Sequence, residues 1–251
     1  MDEVEALFTW LYREHGINLT IGYDAYDRDR FFEGLWVTVK LSVLCIVFSL
    51  VIGVLGAAAQ GARSRLVRWL VGGYIAFFRN TPPLIQLYFF FFALGSVLPP
   101  IVLDGGATRP LVSNFGWAVI ALSFFAGALN VEIFRSGVEA VSRTTVEAAE
   151  SLGYTRLQAY RHVVLPLAVR ISLPALGTNL VNLVKTTTLA YAIAVPELLY
   201  VCAQIWSDVL NVRTMMNVVL LSYVGIVAVL VWVLHRWERM LHVPGFGESS
   251  T

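Results

Sequence analysis

Four ionisable residues, Lys40, Arg79, Glu132 and Lys185, stand inside runs of sequence that are otherwise almost wholly apolar. A charge in an apolar medium is costly, so such residues persist where they pair, meet water or bind something charged. An acid and a base can neutralise one another, or they can hold the two ends of a zwitterion: a cation for its carboxylate, an acid for its ammonium group. Arg79 or Lys185 together with Glu132 has the chemistry for the second use. Glu132 and Arg135 have the i, i+3 spacing of a local helical ion pair, so the first use stays open. Arg79 also stands beside Thr81, Pro82 and Pro83, where backbone carbonyls freed by the prolines could hold its guanidinium. Lys40 is close enough to the end of its run to snorkel outward. Thr178, Asn182 and Lys185, with Asn179 and Thr186 alongside, form a polar stripe at helical spacing. Such a stripe is untenable against lipid and must face a partner helix or a water-filled cavity. With Asn130, the set Arg79, Glu132, Thr178, Asn182, Lys185 and Thr186 comprises the candidates for lining a pathway.

These residues have to be positioned by apolar elements. The chain has 251 residues, 57% hydrophobic and only 14% charged, where a soluble domain carries about 25% charged residues. The deficit marks an all-α integral membrane protein. A net charge of +1 gives no reason to expect a nucleic acid partner. Cys45 and Cys202 sit in or near apolar runs without CxxC spacing, as buried small hydrophobes do. The acidic N-terminus lacks the basic region that opens a signal peptide.

A helix needs about 20 apolar residues to cross the hydrocarbon core. Five segments qualify, at roughly residues 35–59, 72–97, 117–137, 171–195 and 214–235. Arginines cluster after the first span (Arg63, Arg65, Arg68), after the third (Arg135, Arg143, Arg156, Arg161, Arg170) and after the fifth (Arg236, Arg239). The opposite side carries Arg13, Arg28, Arg30, Arg109 and Arg213, with acids crowded into the first 33 residues. Positive charge stays inside, which sets the N-terminus out and the C-terminus in. Residues 1–33 form an extracytoplasmic segment. There Val4, Leu7, Phe8 and Leu11 repeat at the spacing of an amphipathic helix on the outer face, and a disordered tail is the alternative. Residues 34–243 form the membrane domain, and 244–251 a cytoplasmic tail.

The third and fourth spans are joined by a cytoplasmic polar island, "RTTVEAAESLGYTRLQAYRHVVLP", at 143–166. Thr144 with Glu147, and Thr155 with Gln158, have capping-box spacing. Gly153 between them suits the left-handed residue that ends a helix, and Pro166 is placed to stop the second helix before the next span. The pattern predicts helix–Gly–helix, with Ala148 and Ala149 presenting a small, flat face to which another protein can approach closely.

"VEAAESLGYTRLQAYRHVVLP" resembles the EAA loop of ABC importer permeases, with Glu147, Ala148, Ala149, Gly153, Leu165 and Pro166 in the motif positions. "GLWVTVKLS", "YIAFFRNTPPLIQLYFFFF", "EIFRSGVEAV" and "LVKTTTLAYAIAVPELL" are similar to segments of the histidine/glutamine-type polar amino acid permeases, in order across about residues 31–245. Two departures stand out. Thr144 and Thr145 replace the usual Gly-Gln, and Thr186 replaces the acid of a Lys-Asp-Thr-Ser-Leu run, which removes a partner for Lys185. The resemblance implies the type I permease fold in its five-helix form. It also implies partners: a cytoplasmic ATPase homodimer docked on the EAA loop, a second permease subunit, identical or homologous, and an extracytoplasmic substrate-binding protein, all in a lipid bilayer. ATP and Mg would sit on the partner ATPase, because this chain has no GxxxxGK[ST] and is expected to bind no cofactor and to be no enzyme.

Rival readings are poorer. His15, His162, His235 and His242 are scattered and form no HExxH, so a membrane-embedded metalloenzyme is disfavoured. An ATP-independent transporter has no use for a capped docking loop. The cargo stays open among a polar amino acid, an opine and another small organic ion.

Overall fold

The computed structural model describes residues 3–103 and 105–241. Helix α1 covers Glu3–His15 and a single 3-10 turn Thr20–Gly22. Helix α2 runs Ala25–Gln60, α3 Arg65–Asn80 and α4 Pro83–Val97, the last with a wider π-helical turn at Phe89–Leu94. Strands β1 (Ile101–Val102) and β2 (Thr108–Arg109) make a two-residue antiparallel hairpin. Then come α5 (Asn114–Glu139), α6 (Arg143–Ser151), α7 (Arg156–Ile193), α8 (Leu198–Val209) and α9 (Val212–Leu241). Among the described residues, α2, α5, α7 and α9 are each long and apolar enough to cross a membrane, and α4 and α8 are shorter apolar helices. The expected amphipathic segment is helical as α1, although the side chain of Val4 lies outside the described residues, as do the whole of His242 and the expected tail 244–251.

The second expected span is not one helix, which corrects the continuous 72–97 segment. Thr81 precedes Pro82, and a residue before proline is driven out of the helical region. Thr81 is accordingly extended (φ −118°, ψ 142°), and α3 stops at Asn80. The carbonyls left at the break are met locally. Asn80 Nδ2 donates to Ala76 O (2.7 Å) and Thr81 Oγ1 to Phe77 O (2.7 Å). Buried Gln86 spans the gap, its Nε2 donating to Phe78 O and Thr81 O, both at 2.9 Å. In lipid every backbone group needs such a partner.

The chain divides into two compact units. One takes in residues up to Leu44, Leu87–Ala121 and Val184–Ala228; the other takes in Cys45–Gln86, Leu122–Leu183 and residues from Val229 on. In the first, Leu198, Val201, Cys202, Ile205, Met215 and Val219 form the core, with Phe31, Leu35, Trp206 and Tyr223 against it. The helix α8 at its centre falls between the fourth and fifth expected spans, where sequence reading saw only a connection. In the second unit small residues let helices approach, the usual basis of packing where lipid supplies no hydrophobic drive. A Cβ on Gly53 of α2 would lie 2.5 Å from Asn130 Cβ on α5, and one on Gly137 of α5 would lie 2.7 Å from Ala168 O on α7. Helix α5 has 56% of its apolar window buried against 6% for α9, so α5 is the packed helix and α9 leaves its apolar surface open.

Candidate functional site

The polar island folds as helix–Gly–helix, with three differences from expectation. Ser142, not Thr144, caps α6: its Oγ accepts from Thr145 N–H at 3.2 Å, and Thr144 lies inside the first turn. The third helical position is then Thr145 rather than Glu147, so no reciprocal box forms there. The Thr155–Gln158 box is present in both directions, with Gln158 Oε1 accepting from Thr155 N–H at 2.8 Å. Gly153 has φ +91° as expected. It closes a Schellman turn in which Tyr154 N–H donates to Ala149 O (3.2 Å) and Gly153 N–H to Glu150 O (3.0 Å).

The second difference lies in the Ala face. Ala148 is exposed but Ala149 is buried, because α6 turns that side onto its own unit. The large exposed apolar groups of the island are instead Leu152 (81% exposed), Leu157 (76%), Tyr154 and Tyr160. Glu147 and Leu165 are exposed too. The third difference is Pro166, which does not stop a helix: α7 runs straight through it. A π-helical turn at Tyr160–Val164 comes just before, and the wider turn makes room for a ring that would otherwise strike the carbonyl four residues back.

Arg79 of α3 and Glu132 of α5 form an ion pair with each other, with side chains 47% and 30% exposed. Arg135, the local alternative partner for Glu132, is taken by Glu139: its Nη1 donates to both carboxylate oxygens, at 2.7 and 2.8 Å. Around the Arg79–Glu132 pair lies a cavity of about 570 Å³ also lined by Gln60, Arg68, Ile75, Asn80 and Arg135.

Asn130 is fully buried and is a hub between helices. Its Oδ1 accepts from Asn179 Nδ2 (2.8 Å) on α7, its Nδ2 donates to Ser49 Oγ (3.2 Å) on α2, and Asn179 Nδ2 also reaches Ala126 O (3.2 Å). These are packing bonds; no part of Asn130 faces open space. On the other side of α7, Thr178, Asn182 and Lys185 are exposed and Thr186 half-buried. Thr178 Oγ1 donates to Pro174 O at 3.1 Å. Lys40 rests its Nζ 5.4 Å from the centre of the Phe115 ring.

One buried acid escaped sequence reading. Glu197, fully buried, caps α8: its carboxylate accepts from Leu199 N–H, Tyr200 N–H and Tyr223 O–H, each at 2.9 Å. Thr38 Oγ1 accepts from Leu198 N–H beside it, also at 2.9 Å. The signal was Pro196–Glu197 ahead of an apolar run, weak because helix caps are usually Ser, Thr, Asp or Asn.

Residues 39–242 match the family of binding-protein-dependent transport system inner membrane components. The chain is similar to GlnM of Bacillus subtilis (strain 168), a probable glutamine ABC transporter permease protein, with 31% identity over 207 residues, 82% of this chain and 90% of that one. It is also similar to HisQ of Escherichia coli (strain K12), a histidine/lysine/arginine/ornithine transport system permease protein, at 30% over 157 residues, 62% of this chain and 69% of the other. A crystal structure of an amino acid ABC transporter with histidines superposes with a TM-score of 0.74 at 27% identity, covering 85% of this chain and 94% of its own. The chain belongs to the binding-protein-dependent transport system inner membrane components, as a multi-pass, non-catalytic permease subunit of an ABC importer of the bacterial inner membrane.

Proposed function

We propose that this permease carries a polar amino acid into the cytoplasm, with α2, α3 and α4 together, α5, α7 and α9 making five crossings, N-terminus out and C-terminus in. The island at 143–166 docks on a cytoplasmic ATPase homodimer, which holds the ATP and Mg. A second permease subunit, identical or homologous, completes the pathway, and an extracytoplasmic binding protein delivers the cargo. The observation that carries this reading is the island itself. Two short helices are fixed by a side-chain cap, a capping box and a Schellman turn, and they hold Leu152, Tyr154 and Leu157 out to solvent beside the arginine-rich side of the chain. Apolar side chains held at that exposure, on a scaffold this well fixed, match a protein interface better than a wetted loop.

The polar amino acid cargo is supported by the relatives' named substrates and by the exposed stripe Thr178, Asn182, Lys185 on α7. An opine shares the zwitterionic end and is the second cargo to test. Leu152→Cys, crosslinked in native membranes, tests the docking: the expected product is an adduct with an ATPase. Purification that preserves other membrane complexes yet recovers no ATPase would sink the proposal. Uptake of glutamine, histidine and nopaline into proteoliposomes made from the purified complex then ranks the cargoes.

A further inference from the structure

A second cavity adjoins the one around Arg79 and Glu132. It is an apolar groove of about 600 Å³ walled by Val54, Ala58, Val138, Leu165 and Val169, and it shares Gln60 and Arg135 with its neighbour. Three arginines line the first cavity: Arg79 is paired with Glu132 and Arg135 with Glu139, which also lines the groove, while Arg68 donates to the carbonyls of Ala62 (2.6 Å) and Arg63 (3.2 Å) and has no carboxylate partner among the described residues. At the shared wall, Gln60 Oε1 is enclosed with no donor among the described residues. Beside Arg68, Trp69 is 73% exposed, an aromatic of the kind that sits at the headgroup level of a bilayer.

We propose that these joined cavities bind one anionic glycerophospholipid of the cytoplasmic leaflet. An acyl chain lies in the groove along Val54 and Val169, and the phosphate sits against Arg68. A basic pocket between helices, next to an apolar channel at the cytoplasmic end, is what an anionic lipid recognises. The inference rests on the orientation proposed above, and it adds a specific lipid beyond the surrounding bilayer.

The test uses the full chain, purified with its companions into discs containing phosphatidylglycerol and phosphatidylcholine, with retained lipid read by native mass spectrometry. The wild-type protein is expected to keep phosphatidylglycerol preferentially. Arg68→Gln should lower that retention about fivefold, the effect of one basic group near an anionic headgroup, and Ala58→Trp, which fills the groove, should abolish it. Equal retention of both lipids, or retention unchanged by Arg68→Gln, overturns the proposal. So does loss in Ala58→Trp alone, which marks a groove for any acyl chain, or full competition by glycerol phosphate, which marks a chain-free anion site. Labelling of Arg65→Cys by an impermeant maleimide reports the leaflet separately. A wrong orientation and a missing lipid site therefore give different results.

Discussion

Replacing Gly153 by alanine isolates the backbone of the docking island from its contacts. Gly153 holds φ +91° and a Cβ there would meet nothing within 4 Å, so the substitution adds strain without a clash. An L-residue in the left-handed region costs about 1–2 kcal/mol. The strain falls on a surface turn whose loss leaves both packed units intact, so the thermal midpoint of the purified protein should hardly move. The Schellman bonds to Ala149 O and Glu150 O would weaken, and Leu152 and Tyr154 would leave the positions that the turn sets for them. If docking needs this conformation, ATPase affinity should fall roughly 5–30-fold. Gly153→Asn should retain most of it, because asparagine tolerates the left-handed region. The assay is titration of the ATPase onto permease in lipid discs, with cargo-stimulated ATP hydrolysis read in parallel. Gly72→Ala is the control: in α3, at ordinary helical φ and with open space around it, it should stabilise by up to about 1 kcal/mol and leave docking alone. Alanine docking as tightly as glycine at 153 would refute the premise that the turn is the conformation the partner reads.

Three further outcomes follow from the buried and half-buried polar groups. Arg79→Gln and Glu132→Gln should be non-additive in cargo-stimulated ATP hydrolysis while basal hydrolysis persists; because the pair is partly exposed, its coupling in thermal stability should not exceed about 1 kcal/mol, and additive transport defects would show that the pair does not act as one unit. Asn130→Ala removes the bonds that tie α5 to Ser49 Oγ and Asn179, which keep Ile46 O and Ala126 O as acceptors, so it should destabilise the detergent-purified protein by about 1 kcal/mol, whereas a change at exposed Thr178 should not; equal effects at the two sites would show that Asn130 is no hub. Glu197→Ala removes the acceptor for two backbone N–H groups and Tyr223 O–H, for a loss of about 2 kcal/mol or more, and Tyr223→Phe should cost little once Glu197 is gone; unchanged unfolding of Glu197→Ala would refute the capping role.

Local features were the legible ones. The left-handed glycine and the Thr155–Gln158 box each depend on a few neighbouring residues, and each is present. The failures inside the island have a common cause. Thr144 offered a cap by its spacing to Glu147, but the helix begins just after Ser142, which takes that place; Ala149 went inward because α6 lies against its own unit. Pro166 read as a stop because a π turn that accommodates a proline leaves no mark in residue order. Among the pathway candidates, Thr178, Asn182 and Lys185 are exposed, Asn130 is buried in bonds between helices, and Arg79 and Glu132 pair with each other.

The sequence by itself determined that this is a helical membrane protein, roughly where its long apolar segments fall, and that a structured polar island joins two of them. Those properties follow from composition and from periodicity along one helix, which need no knowledge of neighbours. Only the tertiary structure decided which acid met which base, that Asn130 and Asn179 join three helices, and that Glu197 lies buried under Tyr223. The physical reason is that a polar group in an apolar medium takes whichever partner packing brings within hydrogen-bond reach. Packing is set by the close approach of helices at residues such as Gly53 and Gly137, whose contacts lie far away along the chain.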